Sequence, residues 1–250
     1  MRIFATLLAV LYGTACAQAQ WNIFAEKLPA PGAWATYQIK KISPEPVGEP
    51  STIKLSVRDG GLIKDKPHVW LSVEPVAWLG SSHKAPLRFL VPKDLSREGA
   101  NKLLESSVEI LFSEPVKGPW HMLPEDVASI AEKAGYKTTN TLVPETTTAE
   151  PLALGAKAYQ CSRLKMESYT IIDPPFVKKQ TIILRGTVWR DESTPFGVVQ
   201  AKWTEKTIKG DKIREEEKTI TLVEFGKDET PPPALDHGER FSMMRLLFNR

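Results

Sequence analysis

Between Ser51 and Pro75 the apolar side chains fall on every second residue. Ile53, Leu55 and Val57 alternate with Thr52, Lys54, Ser56 and Arg58, and beyond Asp59-Gly60-Gly61 the residues Val69, Leu71 and Val73 repeat the pattern. Successive side chains of a strand point to opposite faces, so a period of two collects all six on one side of a half-buried antiparallel sheet. A helix would scatter the same six around its circumference. Asp59-Gly60-Gly61 reads as the turn between the two strands. A sheet greasy on one side needs a second layer over that side, and the rest of the chain is read for what could supply it.

The same alternation recurs elsewhere. Ala33–Ile42 places Ala35, Tyr37 and Ile39 on one face, and Ala85–Val91 is a short strand closed by Pro92. Val108–Pro115 is another strand, and Gly118–Met122 is a loop. Four long strands are predicted over 156–170, 179–190, 198–208 and 212–225, the second with Ile182, Leu184 and Val188 on one face. Turn residues separate them at Asp173-Pro174-Pro175, at Asp191–Gly197 and at Lys209-Gly210-Asp211, which makes a meander. Two segments break the period. Residues 94–107 predict a helix with Asp94 at or near its cap and Leu95, Leu103 and Leu104 apolar, weakened by Gly99. Residues 123–135 predict a stronger one: Pro124 suits the first turn, Glu125 and Asp126 suit its positive end, and Val127, Ile130, Ala131 and Ala134 form a stripe that Gly135 ends. Asn22–Leu28 has room for one helical turn, and Thr138–Leu154 is an extended connector with at most one edge strand. The expected fold is mainly β (α+β): a curved antiparallel sheet or half-barrel with two inserted helices on the concave side. One β-rich domain spans 20–229, preceded by a leader over 1–19 and followed by a tail over 230–250 that opens on Pro231-Pro232-Pro233 and is expected to be poorly anchored.

The leader has the marks of a secretory signal peptide. Arg2 precedes an apolar run from Ile3 to Tyr12, and Ala15, Ala17 and Ala19 offer small residues for cleavage after Ala17 or Ala19. The run is shorter than the ~20 residues of a membrane span and no later run approaches that length, so the chain is not expected to be transmembrane. Cys16 has Gly13 three residues before it, where a lipoprotein signal wants a branched apolar residue, so plain cleavage is expected rather than a lipid anchor. An exported protein, periplasmic or extracellular, follows. Cleavage leaves Cys161 as the sole cysteine, which forbids an intramolecular disulfide and suits a small buried side chain.

Composition and spacing exclude several functions. The 33 basic and 30 acidic side chains are well mixed, without the basic stripe of a nucleic-acid partner. His68, His83, His121 and His237 include no pair at metal-ligand spacing, and no Gly-rich phosphate loop or G-x-S-x-G is present. No catalytic residue, metal or cofactor is assigned. The one constellation kept in view for hydrolysis is His121 with Glu125 and Asp126. His68 alternates onto the polar side of its strand and is expected to be a solvated or edge imidazole rather than a ligand; Asp236–Glu239 falls in the loose tail. Trp70 and Trp189 lie opposite the aliphatic face, which implies either that both faces are partly covered or that the second binds an apolar or sugar ligand.

Val188–Trp203 contains a Pro195-Phe196-Gly197 corner between two strands. Proline locks its own φ and extends Thr194, while glycine accepts positive φ. Phe196 is then presented at a fixed angle as an apolar plug at the end of the sheet, or as a gate over a cavity. The cysteine-bearing strand with Cys161, followed by Val188, Trp189 and Pro195-Phe196-Gly197-Val198-Val199, resembles secreted bacterial proteins of the LolA/LppX-type lipoprotein-carrier fold. The Gly32–Lys41 strand is also similar to that group. The carriers have a longer helix ahead of the first strand, where only Trp21–Leu28 is available here. The resemblance implies a curved, incompletely closed antiparallel sheet whose concave side is covered by helices, and a lipid or lipoprotein as partner. The ligand-binding residues expected on that side are Ile53, Leu55, Val69, Leu71, Val73, Ile182, Leu184, Val188 and Phe196. The alternative is a structural or protein-interaction module without a ligand cavity.

Overall fold

The computed structural model describes residues 22–43, 50–77, 84–112, 119–146, 148–175, 178–228 and 235–241. The leader with Cys16, His83, the run Pro231-Pro232-Pro233 and the residues past 241 lie outside that set.

Strands dominate and form one open, curved, mixed sheet that does not close into a barrel. The first meander is β1 (Ala33–Ser43), β2 (Ser51–Ile63), β3 (Lys66–Ala77), β4 (Lys84–Pro92), β5 (Glu109–Phe112) and β6 (Trp120–Met122). The second is β7 (Lys137–Pro144), β8 (Glu150–Leu154), β9 (Lys157–Ile172), β10 (Gln180–Arg190), β11 (Val198–Lys209) and β12 (Lys212–Lys227). The short β13 (Glu239–Arg240) returns to lie parallel to β6. The sheet order is β13-β6-β5-β4-β3-β2-β1-β12-β11-β10-β9-β7, with β8 also on β9. The two meanders therefore meet at its middle, where β1 pairs with β12 from Ala33↔Lys227 to Ser43↔Glu217.

Register turns the alternation into a continuous apolar face. One row runs Met122–Ile110–Phe89–Leu71–Val57 across β6 to β2, and the next runs Phe112–Leu87–Val73–Leu55–Ala35. From β1 into the second meander, Ile39–Ile220–Ala201–Val188–Leu164 forms a third row. Among the described residues four short helices cover this face: α1 (22–25), α2 (Arg97–Asn101), α3 (Leu103–Ser106) and α4 (Pro124–Lys133). Their inward residues Ile23, Phe24, Ala100, Leu103, Val127 and Ile130 share one buried cluster with the strand rows.

Several local expectations are corrected. Asp59-Gly60-Gly61 is a bulge inside the β2–β3 ladder, because the register slips between Asp59 and Leu62 while pairing continues to Ile63↔Lys66. The bulge needs its glycines: Gly61 sits at φ +74°, and a Cβ on Gly60 would lie 2.9 Å from the His68 carbonyl. The true turn is Lys64-Asp65, both at positive φ. The predicted helix at 94–107 is two pieces broken at Lys102, and its cap is Ser96, whose Oγ accepts from Gly99 N at 3.0 Å, rather than Asp94. Gly118–Met122 was expected to loop, yet Trp120–Met122 pairs with β5. The connector holds two strands, β7 and β8, which pair in succession with the 16-residue β9. His68 is buried, not solvated, with its Nδ1 2.8 Å from the Lys66 carbonyl. Residues 235–241 are anchored: Phe241 N donates to His121 O at 2.7 Å, and its buried ring meets Phe112 and Trp120 at 5.7 and 6.5 Å.

The opposite face is partly covered too. Trp70, Leu90 and Leu111 form a second buried cluster beneath Leu235, with the His237 ring edge-on to Trp70 at 5.7 Å. The Trp189 indole donates to Glu150 Oε1 of β8 at 3.1 Å.

Candidate functional site

The nine residues expected to bind a ligand are all on the inner side of the sheet, and none is more than 4% exposed. The structure gathers Ile53, Leu55, Val69, Leu71 and Val73 on β2 and β3, and Ile182, Leu184 and Val188 on β10, within the same cluster. Phe196 joins them from the loop after β10. Its ring is edge-on to Phe24 of α1 at 6.4 Å, and Phe24 tilts against Tyr37 of β1 at 4.8 Å. The Tyr37 hydroxyl donates to the Val198 carbonyl at 3.0 Å, and burial raises its pKa well above the ordinary phenol value. The corner is thus an apolar plug that ties α1, β1 and β11 together.

The Asp191–Gly197 loop is built as its sequence requires. Gly197 sits at φ +72° and its N–H donates to Thr194 O, while Asp191 N donates to Gly197 O. Asp191 accepts from Ser193 N at 2.8 Å and from Gln160 N at 2.7 Å. Burial works against its carboxylate, but these bonds hold its pKa below the ordinary value. Cys161 is fully buried nearby; burial, then Asp191 and Glu150, pushes its thiol up to about 11. Cys161 is thus a small buried side chain of the core, as its strand context suggested.

Towards the far end of β11 and β12 the inner face turns ionic. Lys218 Nζ lies 2.8 Å from Glu205 and 3.2 Å from Glu216, and Lys41 Nζ lies 2.9 Å from Glu216. Burial disfavours the Glu216 carboxylate, yet hydrogen bonds from Lys41, Lys218 and Arg214 bring its pKa down to about 2.

A polar cleft of about 500 Å³ opens where α1, α2, the end of β7, the middle of β9 and the end of β10 converge. Glu26, just past the end of α1, lines it, its two oxygens paired with Arg190 of β10 and Arg97 of α2. Glu26 and Arg190 are both nearly inaccessible. Burial lowers the Arg190 pKa, partly offset by Glu192. Lys27 reaches the Glu192 carboxylate at 2.6 Å. Arg163 of β9 faces the cleft from the other side, 3.0 Å from Glu145 and 3.6 Å from Glu150. Sequence reasoning missed this cleft, whose residues come from five distant stretches. One signal was present: Arg190 continues the inward parity of Ile182, Leu184 and Val188, so an arginine was due on the apolar side.

The constellation of His121, Glu125 and Asp126 is not an open acid–base cluster. Arg240 binds Glu125 at 2.7 Å and Asp126 at 3.1 Å, Asp126 also caps Leu123 N at 3.0 Å, and His121 Nδ1 lies 3.2 Å from the His237 carbonyl. No described helix is long and apolar enough to cross a membrane.

No family model matches the chain, and no curated protein matches its sequence. Among solved structures, a Bacteroides fragilis protein with a YmcC-like fold, whose export is inferred, aligns over 80% of this chain and 99% of its own at 12% identity and a TM-score of 0.37. A LolA superfamily protein from Nitrosomonas europaea aligns over 87% of this chain and 94% of its own at 9% identity and a TM-score of 0.26. Scores this low define neither family nor activity.

Proposed function

We propose that the chain is an exported, non-enzymatic protein of the cell envelope that binds a lipid or another apolar ligand against the concave face of its sheet. The observation that carries this is the mismatch between the two layers. The apolar face is continuous from Met122 on β6 to Leu142 on β7, whereas its cover is four separate helices of at most ten residues. Helices below ~12 residues are marginal alone and are held only by packing, so the cover is the weaker layer. An apolar chain could take over the contacts of Phe24, Leu103 and Ile130 without breaking a strand pair. The leader and the likeness around Trp189 and Pro195–Val199 support the same reading. Non-enzymatic action is supported by the pairing of Glu125 and Asp126 with Arg240, which occupies the carboxylates singled out for hydrolysis.

A second reading, a structural or interaction module without a cavity, is favoured by the near-complete burial of the nine expected ligand residues under the chain's own helices. Native mass spectrometry of the exported protein, followed by uptake of a fluorescent fatty acid, separates the two. The ligand reading expects a co-purified apolar mass, or dye uptake that the apolar compound competes away. A clean polypeptide mass together with no uptake leaves the cavity-free module.

A further inference from the structure

We propose that the polar cleft between α1, α2, β9 and β10 is a second site, one that binds a phosphate group. It lies outside the nine-residue apolar surface and does not depend on the apolar ligand. The cleft volume of about 500 Å³ suits a small ligand. Four cationic side chains, Lys27, Arg97, Arg163 and Arg190, line it with two carboxylates, Glu26 and Glu192, while Glu145 and Glu150 pair with Arg163 from behind, so charge is balanced and the case for an anion rests on donors.

Donor capacity is what remains unused. Both oxygens of Glu26 are taken, one by each flanking guanidinium. Arg97 uses only its Nε in that pair, so its two terminal nitrogens make no hydrogen bond among the described residues. Arg163 Nε is buried and lies 3.0 Å from Glu145 without the alignment of a hydrogen bond. Glu145 and Glu150 stand behind Arg163, and an incoming anion must outcompete them for it. Guanidinium forks match the oxygens of a phosphate in pairs, and two such forks with free N–H groups, one from α2 and one from β9, fit a tetrahedral anion better than a third carboxylate. A free phosphate and a phospholipid headgroup present the same chemistry.

The test uses the mature full chain and a double variant, Arg97→Gln with Arg163→Gln. Both side chains are partly exposed, at 55% and 35%, and the buried Arg190 is left intact. The control is Arg185→Gln with Lys212→Gln, an equal loss of charge at exposed positions away from the cleft. Inorganic phosphate is titrated calorimetrically at constant ionic strength up to ~10 mM, a range that captures affinities down to the millimolar level. Vesicles of phosphatidylcholine with and without phosphatidic acid are co-sedimented in parallel. The wild type and the control should bind phosphate, or phosphatidic acid vesicles selectively, and the double variant should lose about tenfold or more in affinity, the worth of a charge-assisted hydrogen bond. Binding of free phosphate identifies a soluble ligand; binding of phosphatidic acid vesicles alone identifies a headgroup. The proposal is overturned if neither probe binds, if the double variant binds as well as wild type, or if the control loses as much. A thermal melt of each variant without ligand confirms folding; should the double variant be unfolded, Arg163→Gln alone takes its place under the same criteria.

Discussion

At the scale of single residues, Phe196 is fully buried, its ring edge-on to Phe24 at the end of the sheet. Its removal leaves a cavity that the proline- and glycine-fixed loop cannot collapse into. Phe196→Ala should therefore lower stability by about 3–4 kcal/mol, read as a fall in urea midpoint at constant slope. An unchanged midpoint would mean that the ring does not plug the corner. Glu216 makes a prediction of different character. Its folded pKa of about 2 lies below the ordinary 4.5. The carboxylate therefore stabilises the fold fully above about 4.5, and that contribution is lost as pH falls from there towards about 2. Glu216→Gln should be less stable than wild type at neutral pH, with the gap narrowing through that acid window. A gap that stays constant from neutral to acid pH would show that the cations around Glu216 do not hold its charge.

Elements formed where local pattern and long-range pairing agreed. The four long strands of the second meander and α4 were legible because each is long enough that one misfit, such as the change of buried parity between Cys161 and Leu164 in β9, does not change the reading. What failed was short or decided by a distant partner. Trp120–Met122 is a strand only because Ile110–Phe112 lies beside it, and Glu239–Arg240 only because β6 does. Residues 235–241 looked loose because nothing local reveals that Phe241 will meet Phe112 or that Leu235 will cover Trp70. The apolar face was readable from parity alone, whereas the cleft draws Glu26, Arg97, Arg163 and Arg190 from four separate stretches and was not. The β2–β3 hairpin is the instructive error. Its glycines mark a bulge, and the turn falls on Lys64 and Asp65, at φ 50° and 62°. Positive φ costs a side chain with a Cβ roughly 1 kcal/mol, and two-residue hairpin turns of this kind prefer Asn-Gly. Replacing the pair by Lys64→Asn and Asp65→Gly should raise stability by about 0.5–1 kcal/mol, seen as a higher urea midpoint. A lower midpoint would show that the native pair is not strained.

On the scale of the whole molecule, two meanders consecutive in sequence share one sheet, and the question is whether they behave as one body. The β1–β12 ladder crosses the boundary, with Tyr37 of the first meander bonded to Val198 of the second. The helical layer crosses it as well. Asn140 of β7 donates to the Asn101 carbonyl of α2 at 2.6 Å, and Asp173 N donates to Ala134 O at the end of α4 at 2.8 Å. Glu26 pins α1 to Arg190 on β10 and to Arg97 on α2. The helices tie the two apolar faces together, because α2 and α3 arise from the β4–β5 connection of the first meander and α4 from the link between the two, yet α2 bonds to β7 and the end of α4 to the residue after β9. Separate unfolding would expose the shared cluster on both sides. Tryptophan fluorescence and far-UV circular dichroism should then report one coincident urea transition, although the chain exceeds the size at which two-state behaviour is the rule. Trp70 lies in the first meander and Trp189 and Trp203 in the second, so the fluorescence samples both. Two resolved transitions, or probes with different midpoints, would show that the β1–β12 ladder is a seam between independent units. The apolar ligand proposed here would then sit between two bodies, not beneath a cover.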